Sequence, residues 1–190
     1  MKLVRTLSEE DWDSILKRIA KGNCTPFLGA GASSQRIGVA TDIAAHWADK
    51  YEYPLPDKND LMRVAQFRAV TGDPVEPKED MADLCRKAKP PDFSDVHEIH
   101  RVLADLPLKT YLTTNYDDFM FQALTAVRKK PRQEICRWNR HIQEQYNSIF
   151  DVEPLYAPDQ SNPLVFHLHG CAYEPHSMVL TEDDYVDFLL

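Results

Sequence analysis

Apolar side chains recur at helical spacing in Trp12, Ile15, Leu16 and Ile19, behind a Ser8-x-x-Asp11 capping pattern and ahead of Gly22. That combination predicts an amphipathic helix with a capped start and a glycine stop. The run Cys24-Thr25-Pro26-Phe27-Leu28 then empties into Gly29-Ala30-Gly31-Ala32-Ser33-Ser34, which predicts a buried strand followed by a glycine turn. Helical periodicity returns over 41–51, over 57–72 with Leu61, Val64, Ala65 and Arg68 on related faces, over 78–87, and over 94–106, where Pro107 ends it. Residues 73–77 and 89–93 read as connecting loops. A strand is expected over 109–113, a turn at Thr114-Asn115-Tyr116-Asp117 and a helix over 119–127. Arg128-Lys129-Lys130-Pro131-Arg132 reads as a solvated loop in preference to a phosphate-contacting patch, and 137–156 shows no clear period. Leu164-Val165-Phe166-His167-Leu168-His169-Gly170 predicts a strand closed by a glycine, Met178-Val179-Leu180 another, and Thr181 with Asp184 the cap of a last helix. Strands alternating with helices over most of the chain predict a three-layer α/β fold, with a mainly parallel sheet and helices on both faces.

At 190 residues and 43% hydrophobic side chains, the chain is long and apolar enough for one globular core. Apolar runs such as Leu164-Val165-Phe166 fall far short of the roughly 20 residues a spanning helix needs. Met1-Lys2-Leu3-Val4-Arg5 leads into charged residues and not into a signal-peptide core, so a cytoplasmic protein without a membrane span is expected. The net charge of -8, from 22 Lys and Arg against 30 Asp and Glu, sets up a field that repels polyanions and tells against direct nucleic-acid binding. Cys24, Cys85, Cys136 and Cys171 contain no paired spacing, which predicts reduced thiols and neither a zinc ribbon nor a disulfide framework.

Three stretches carry chemistry. Gly29-x-Gly31 between a strand and a helix can bring backbone N–H groups to a pyrophosphate, or can be only a tight turn; Ser34 stands where a third fingerprint glycine would fall, and Asp49 is the nearest acidic candidate further on. Asn115 and Asp117 follow the C-terminal end of a strand, the edge where open parallel sheets bind ligands. The pair can hold a carboxamide or a ribose, or can simply cap the next helix. Period-two alternation places His167 and His169 on one strand face, as a metal pair or with one acting as a base beside Gly170. His97 and His100 read as surface histidines.

Taken in order, Phe27-Leu28-Gly29-Ala30-Gly31-Ala32-Ser33, Thr114-Asn115-Tyr116-Asp117 and His169-Gly170 resemble the sirtuin-like family, with its Gly-Ala-Gly-x-Ser phosphate loop, Asn-x-Asp nicotinamide motif and catalytic His-Gly. Val179-Leu180-Thr181-Glu182-Asp183-Asp184-Tyr185 is similar to the branch found in bacterial anti-phage defence proteins, whose activity is NAD+ hydrolysis. The resemblance implies a Rossmann-like single domain over 1–190, with a helical insertion at about 57–106 and without its last strand or strands, as the N-terminal fragment of a longer protein. It departs from the deacylases in lacking the four-cysteine zinc module, and in carrying Arg36-Ile37-Gly38-Val39-Ala40-Thr41 where they have Pro-Asp-Phe-Arg.

The resemblance further implies that Gly29, Ala30, Gly31 and Ser33 cradle the phosphates, with Thr114, Asn115 and Asp117 completing the cofactor site. Asp117 would hold the carboxamide, Asn115 would position the ribose and a water, and His169 would take a proton. The implied activity is an NAD+ glycohydrolase with NAD+ as substrate and no metal, giving ADP-ribose or a cyclic form and depleting NAD+ in antiviral defence. A homo-oligomer and a regulatory domain or partner sensing infection belong to the same implication. The alternatives are a non-catalytic nucleotide-sensing or partner-docking module, an NAD-dependent deacylase, and a metal-dependent hydrolase built on His167 and His169.

Overall fold

Four short strands form one all-parallel sheet in the order β1-β2-β4-β3, with β1 at Phe27–Leu28, β2 at Thr110–Thr113, β3 at Arg132–Ile135 and β4 at Leu164–His167. The computed structural model describes residues 7–190, so the stretch Met1 to Arg5 lies outside the described residues. Helices flank the sheet, and the architecture is the expected α/β, Rossmann-like one. Leu28 lies beside Thr113, Thr113 beside His167 and His167 beside Ile135. This register aligns the C-terminal ends of all four strands on one edge, so the loops that leave them must meet.

Local signals explain most elements. Helix α1 (Glu9–Ala20) begins at the Ser8/Asp11 capping box, and Gly22 follows in the left-handed region at φ +68. After α2 (Ser34–Ile37) and α3 (Ala40–Lys50), Asp60 caps α4 (Leu61–Thr71), which buries Val64 and Ala65 as its pattern demands. Helix α5 (Glu76–Lys87) completes a cluster in which Trp47, Val64, Met81 and Leu180 meet. A second cluster packs α6 (Ile99–Asp105) and α7 (Phe119–Ala126) against Tyr111 and Val165, which are register partners on one sheet face. The chain continues through α8 (Arg140–Gln145) and α9 (Ile149–Val152) to α10 (Glu182–Leu189), capped by Thr181 and Asp184. None of the helices among the described residues is long and apolar enough to cross a membrane.

Several expectations change. The first strand is only half-buried: Pro26 has no N–H to extend the ladder, only two residues pair, and Phe27 on this edge is 63% exposed while Leu28 is buried. The helix expected over 94–106 starts only at Ile99, where the Glu98 side chain caps it. Arg132 is not loop, because it opens β3, and the basic stretch before it docks through Lys129 Nζ donating to the Leu106 carbonyl at 2.7 Å. Strand β3 escaped notice because Arg132-Gln133-Glu134-Ile135 has no apolar run; its Glu134 is buried yet satisfied by Ser148 Oγ at 2.6 Å and the Ile149 amide at 2.8 Å. Met178-Val179-Leu180 is buried but joins no ladder: the Val179 amide donates to the His169 carbonyl, Tyr116 Oη donates to the Val179 carbonyl, and the Met178 and Leu180 amides donate to the Pro175 carbonyl and the Asp184 carboxylate. His100 is a core residue and not a surface one, 1% exposed, with Nδ1 2.8 Å from Glu98 Oε1 and its ring edge-to-face with Phe119. His97 is exposed as expected. All four cysteines are free thiols.

Candidate active site

The turn after β2 is held by its own side chains. Thr113 Oγ1 accepts from the Asn115 amide at 2.9 Å, and the Asn115 side-chain Nδ2 reaches across to the Gly29 carbonyl at 3.1 Å and Ser33 Oγ at 3.2 Å. Asn115 therefore fastens the glycine loop to the strand beside it. Asp117 does two things at once. Its Oδ1 accepts from the amide of Phe119, the first residue of α7, at 3.0 Å, while its Oδ2 is buried without a hydrogen-bond partner. Burial pushes the Asp117 carboxyl above the usual carboxylate range, against the pull of the Ser33 hydroxyl, the Phe119 amide and the nearby His100 and His167.

These groups open onto a cleft of about 220 Å³ lined by Ala30, Ser33, Thr114, Asn115, Asp117 and His169. Its remaining walls are largely apolar, from Ile37, Ile43, Leu61, Met81, Cys85 and Tyr185. The volume is below the roughly 300 Å³ lower bound of drug-sized sites, which suits one ring and part of a sugar. The Cys85 thiol is pushed up to about 12 by burial, so it is a neutral wall and no nucleophile at physiological pH. Two of the expected cradle residues stand differently: Gly29 gives only its carbonyl to Asn115, and Gly31 turns to a neighbouring cleft with Gln35, Arg36 and Asp92. An added Cβ at Gly31 would meet nothing within 4 Å, so open space lies outside the loop.

The two strand histidines part company. Strand β4 ends at His167, so period-two alternation does not extend to His169. His167 is 1% exposed, its Nδ1 3.2 Å from the Asn115 carbonyl and its Nε2 buried without a partner. His169 lies in the turn beyond, half-buried in the cleft, and burial lowers its pKa below the ordinary histidine value so the ring is neutral at pH 7. Gly170 sits at φ +79, and a Cβ there would overlap the backbone of Ser177. Among the described residues no group of three or more His, Cys, Asp or Glu side chains is placed to hold a metal ion.

Tyr185 closes the motif that begins at Val179 but was given no site role, since nothing in its local sequence shows that α10 returns to the cleft. Its ring meets His169 edge-to-face at 5.5 Å.

A parallel sheet whose polar residues gather at the carboxyl ends of its strands defines a Rossmann-like α/β protein with a ligand site at that edge. Residues 109–189, which contain Asn115, Asp117 and His169, match the SIR2-like domain family. The chain is 29% identical over 177 residues to the NAD(+) hydrolase ThsA of Cytobacillus dafuensis, covering 91% of this chain and 31% of that protein. It is 26% identical over 171 residues to the ThsA of Enterococcus faecium, covering 88% and 32%, and 24% over 183 residues to that of Acinetobacter baumannii, covering 94% and 33%. The chain thus spans about a third of the length of these relatives.

Proposed function

We propose that this chain is the NAD+-cleaving domain of a NAD+ glycohydrolase, a single sirtuin-like domain in which 57–106 form a helical insertion. The observation that carries the reading is the buried, unpartnered Asp117 Oδ2 in one cleft with Asn115 and His169. A carboxylate oxygen so placed accepts from an amide NH2, the group a nicotinamide carboxamide presents. Cleavage breaks the bond between nicotinamide nitrogen and ribose C1′, the electron pair leaving with the ring. Water then adds at C1′ and gives its proton to a base, so that NAD+ and water become nicotinamide, ADP-ribose and a proton. His169, neutral at pH 7, is the base. The Asn115 Nδ2 is committed to the glycine loop, which leaves its Oδ1 for the ribose or the water. Ala30, Ser33 and Thr114 face the phosphates in the cleft, Gly31 borders them on the open side of the loop, Gly29 supports them through Asn115, and no metal takes part. In the defence setting that the resemblance implies, the domain works within a homo-oligomer under a regulatory domain or partner that senses infection, in the cytoplasm.

The test is chromatography of NAD+ incubated with the full-length protein, alone and with infected-cell extract as activator. Nicotinamide appears with the native protein, and Asn115→Ala lowers its release about a hundredfold or more while the protein stays folded. Intact NAD+ in every arm, together with measurable NAD+ binding, would overturn the enzyme in favour of a nucleotide-sensing module. The sugar product, linear or cyclic, is read from the same trace.

A further inference from the structure

Catalytic histidines are commonly oriented by a hydrogen-bond acceptor on the second ring nitrogen. His169 has none among the described residues, and burial is the one influence that moves its pKa. What touches its ring instead is α10. Tyr185 meets the imidazole edge-to-face at 5.5 Å and Phe188 does so at 5.2 Å, both at an interplanar angle of 82°. Three residues apart, the two rings share one helix face.

Helix α10 is itself fixed with unusual thoroughness for eight residues. Asp184 accepts from the Leu180 and Thr181 amides at 3.0 and 2.9 Å and pairs with Lys78 of α5 at 2.6 Å, with side chains only 11% and 12% exposed. Asp183 and Gln66 of α4 exchange two hydrogen bonds, at 2.8 and 3.0 Å. Behind Phe188 stands Trp138, 6.4 Å away, whose Nε1 donates to the Ser177 carbonyl at 2.7 Å and whose ring lies 5.6 Å from Lys78 Nζ. The helical insertion and the last helix thus form one scaffold around the imidazole.

We propose that Tyr185 and Phe188 are positioning residues for His169, an aromatic clamp on α10 that orients the imidazole in place of a hydrogen-bond acceptor. The inference rests on reading His169 as the base. Rings packed on the imidazole exclude water from it, which disfavours the charged form and keeps the base ready at neutral pH. The other titratable groups of the cleft are Asp117 and Tyr116 from the β2–α7 turn and Cys85 from α5, with Lys78 and Asp184 paired behind α10.

The experiment is a nitrogen-15 NMR titration of the histidines in the full chain, with His169→Ala assigning the resonance, set beside the pH profile of nicotinamide release. Tyr185→Phe keeps the ring and should leave the His169 pKa at its native value. Tyr185→Leu, Phe188→Leu and the volume-matched Phe188→Met should raise the His169 pKa toward the ordinary histidine value and move the acid limb of kcat/KM upward with it. They should also lower kcat about tenfold with a smaller change in KM. Both helix residues are part-exposed, so these variants fold, and thermal melts check it. An unchanged or lowered His169 pKa in the ring-deletion variants overturns the clamp. Full NAD+ consumption by His169→Ala overturns the base assignment instead, and the titration still reads whether the rings act on the imidazole.

Discussion

Asp117 is the residue where stability and function pull apart. A buried carboxylate oxygen without a hydrogen-bond partner costs free energy of the order of 1–3 kcal/mol, which the nearby Ser33 hydroxyl, His100 and His167 offset only in part, since the carboxyl pKa stays raised. Asp117→Asn has nearly the same shape and no charge. It should leave the fold as stable or more stable by about 1 kcal/mol, while nicotinamide release falls tenfold or more because the carboxamide loses its acceptor. The pH dependence has a definite sign. A carboxyl whose folded pKa lies above the unfolded 3.8 binds its proton more tightly in the folded chain, so its stabilising contribution is full below 3.8 and is lost as pH rises through the folded value. The advantage of Asn over Asp in thermal melts should therefore be larger at neutral pH than in mild acid. Asn115, Asp117 and His169 were legible because each follows a strand end, the place where parallel sheets present ligand-binding groups. Their partners were not, since the bond from Asn115 Nδ2 to the Gly29 carbonyl joins residues 86 positions apart.

Turns and short elements show how one residue type serves two purposes. Gly170 and Gly31 both punctuate the expected motifs, yet the chain itself requires only the first. Gly170→Ala places a Cβ in the left-handed region and into the Ser177 backbone, which should cost about 3 kcal/mol or more and displace the 3-10 turn Pro175–Ser177. Gly31→Ala meets open space and should leave the melting temperature unchanged, while the KM for NAD+ rises if phosphates pass close to the loop. Urea titrations and steady-state kinetics on the two variants read these outcomes. The starts of α1 and α10 were read well, because a capping box such as Ser8/Asp11 or Thr181/Asp184 is complete within four residues. Strand β3 was not, because an edge strand rewards its polar side chains through groups elsewhere, here Ser148 and Ile149 around Glu134. The converse error arose at Met178-Val179-Leu180, whose burial comes from packing under α10 and not from a ladder.

Two apolar clusters without a shared residue stand behind the site, one where α3, α4 and α5 meet Met178 and Leu180 and one where α6 and α7 pack against the sheet. Val64 belongs to the first and Val165 to the second, both essentially inaccessible. Val64→Ala and Val165→Ala should each cost about 2 kcal/mol by lost burial and cavity formation. With no common partner, the double variant should lose the sum to within about 0.5 kcal/mol in urea unfolding. Coupling well above that would mean the clusters act as one core. The alternation of strand and helix, the capped helix starts and the glycine loop were written in short stretches of chain, because propensity, capping and backbone freedom act over a few residues. The sheet order β1-β2-β4-β3, the register that sets Thr113 beside His167, the burial of His100 and the return of α10 to His169 depend on which apolar faces meet across tens of residues. Only packing of the whole chain decides that, since each such contact offsets its ordering entropy together with its neighbours and not alone.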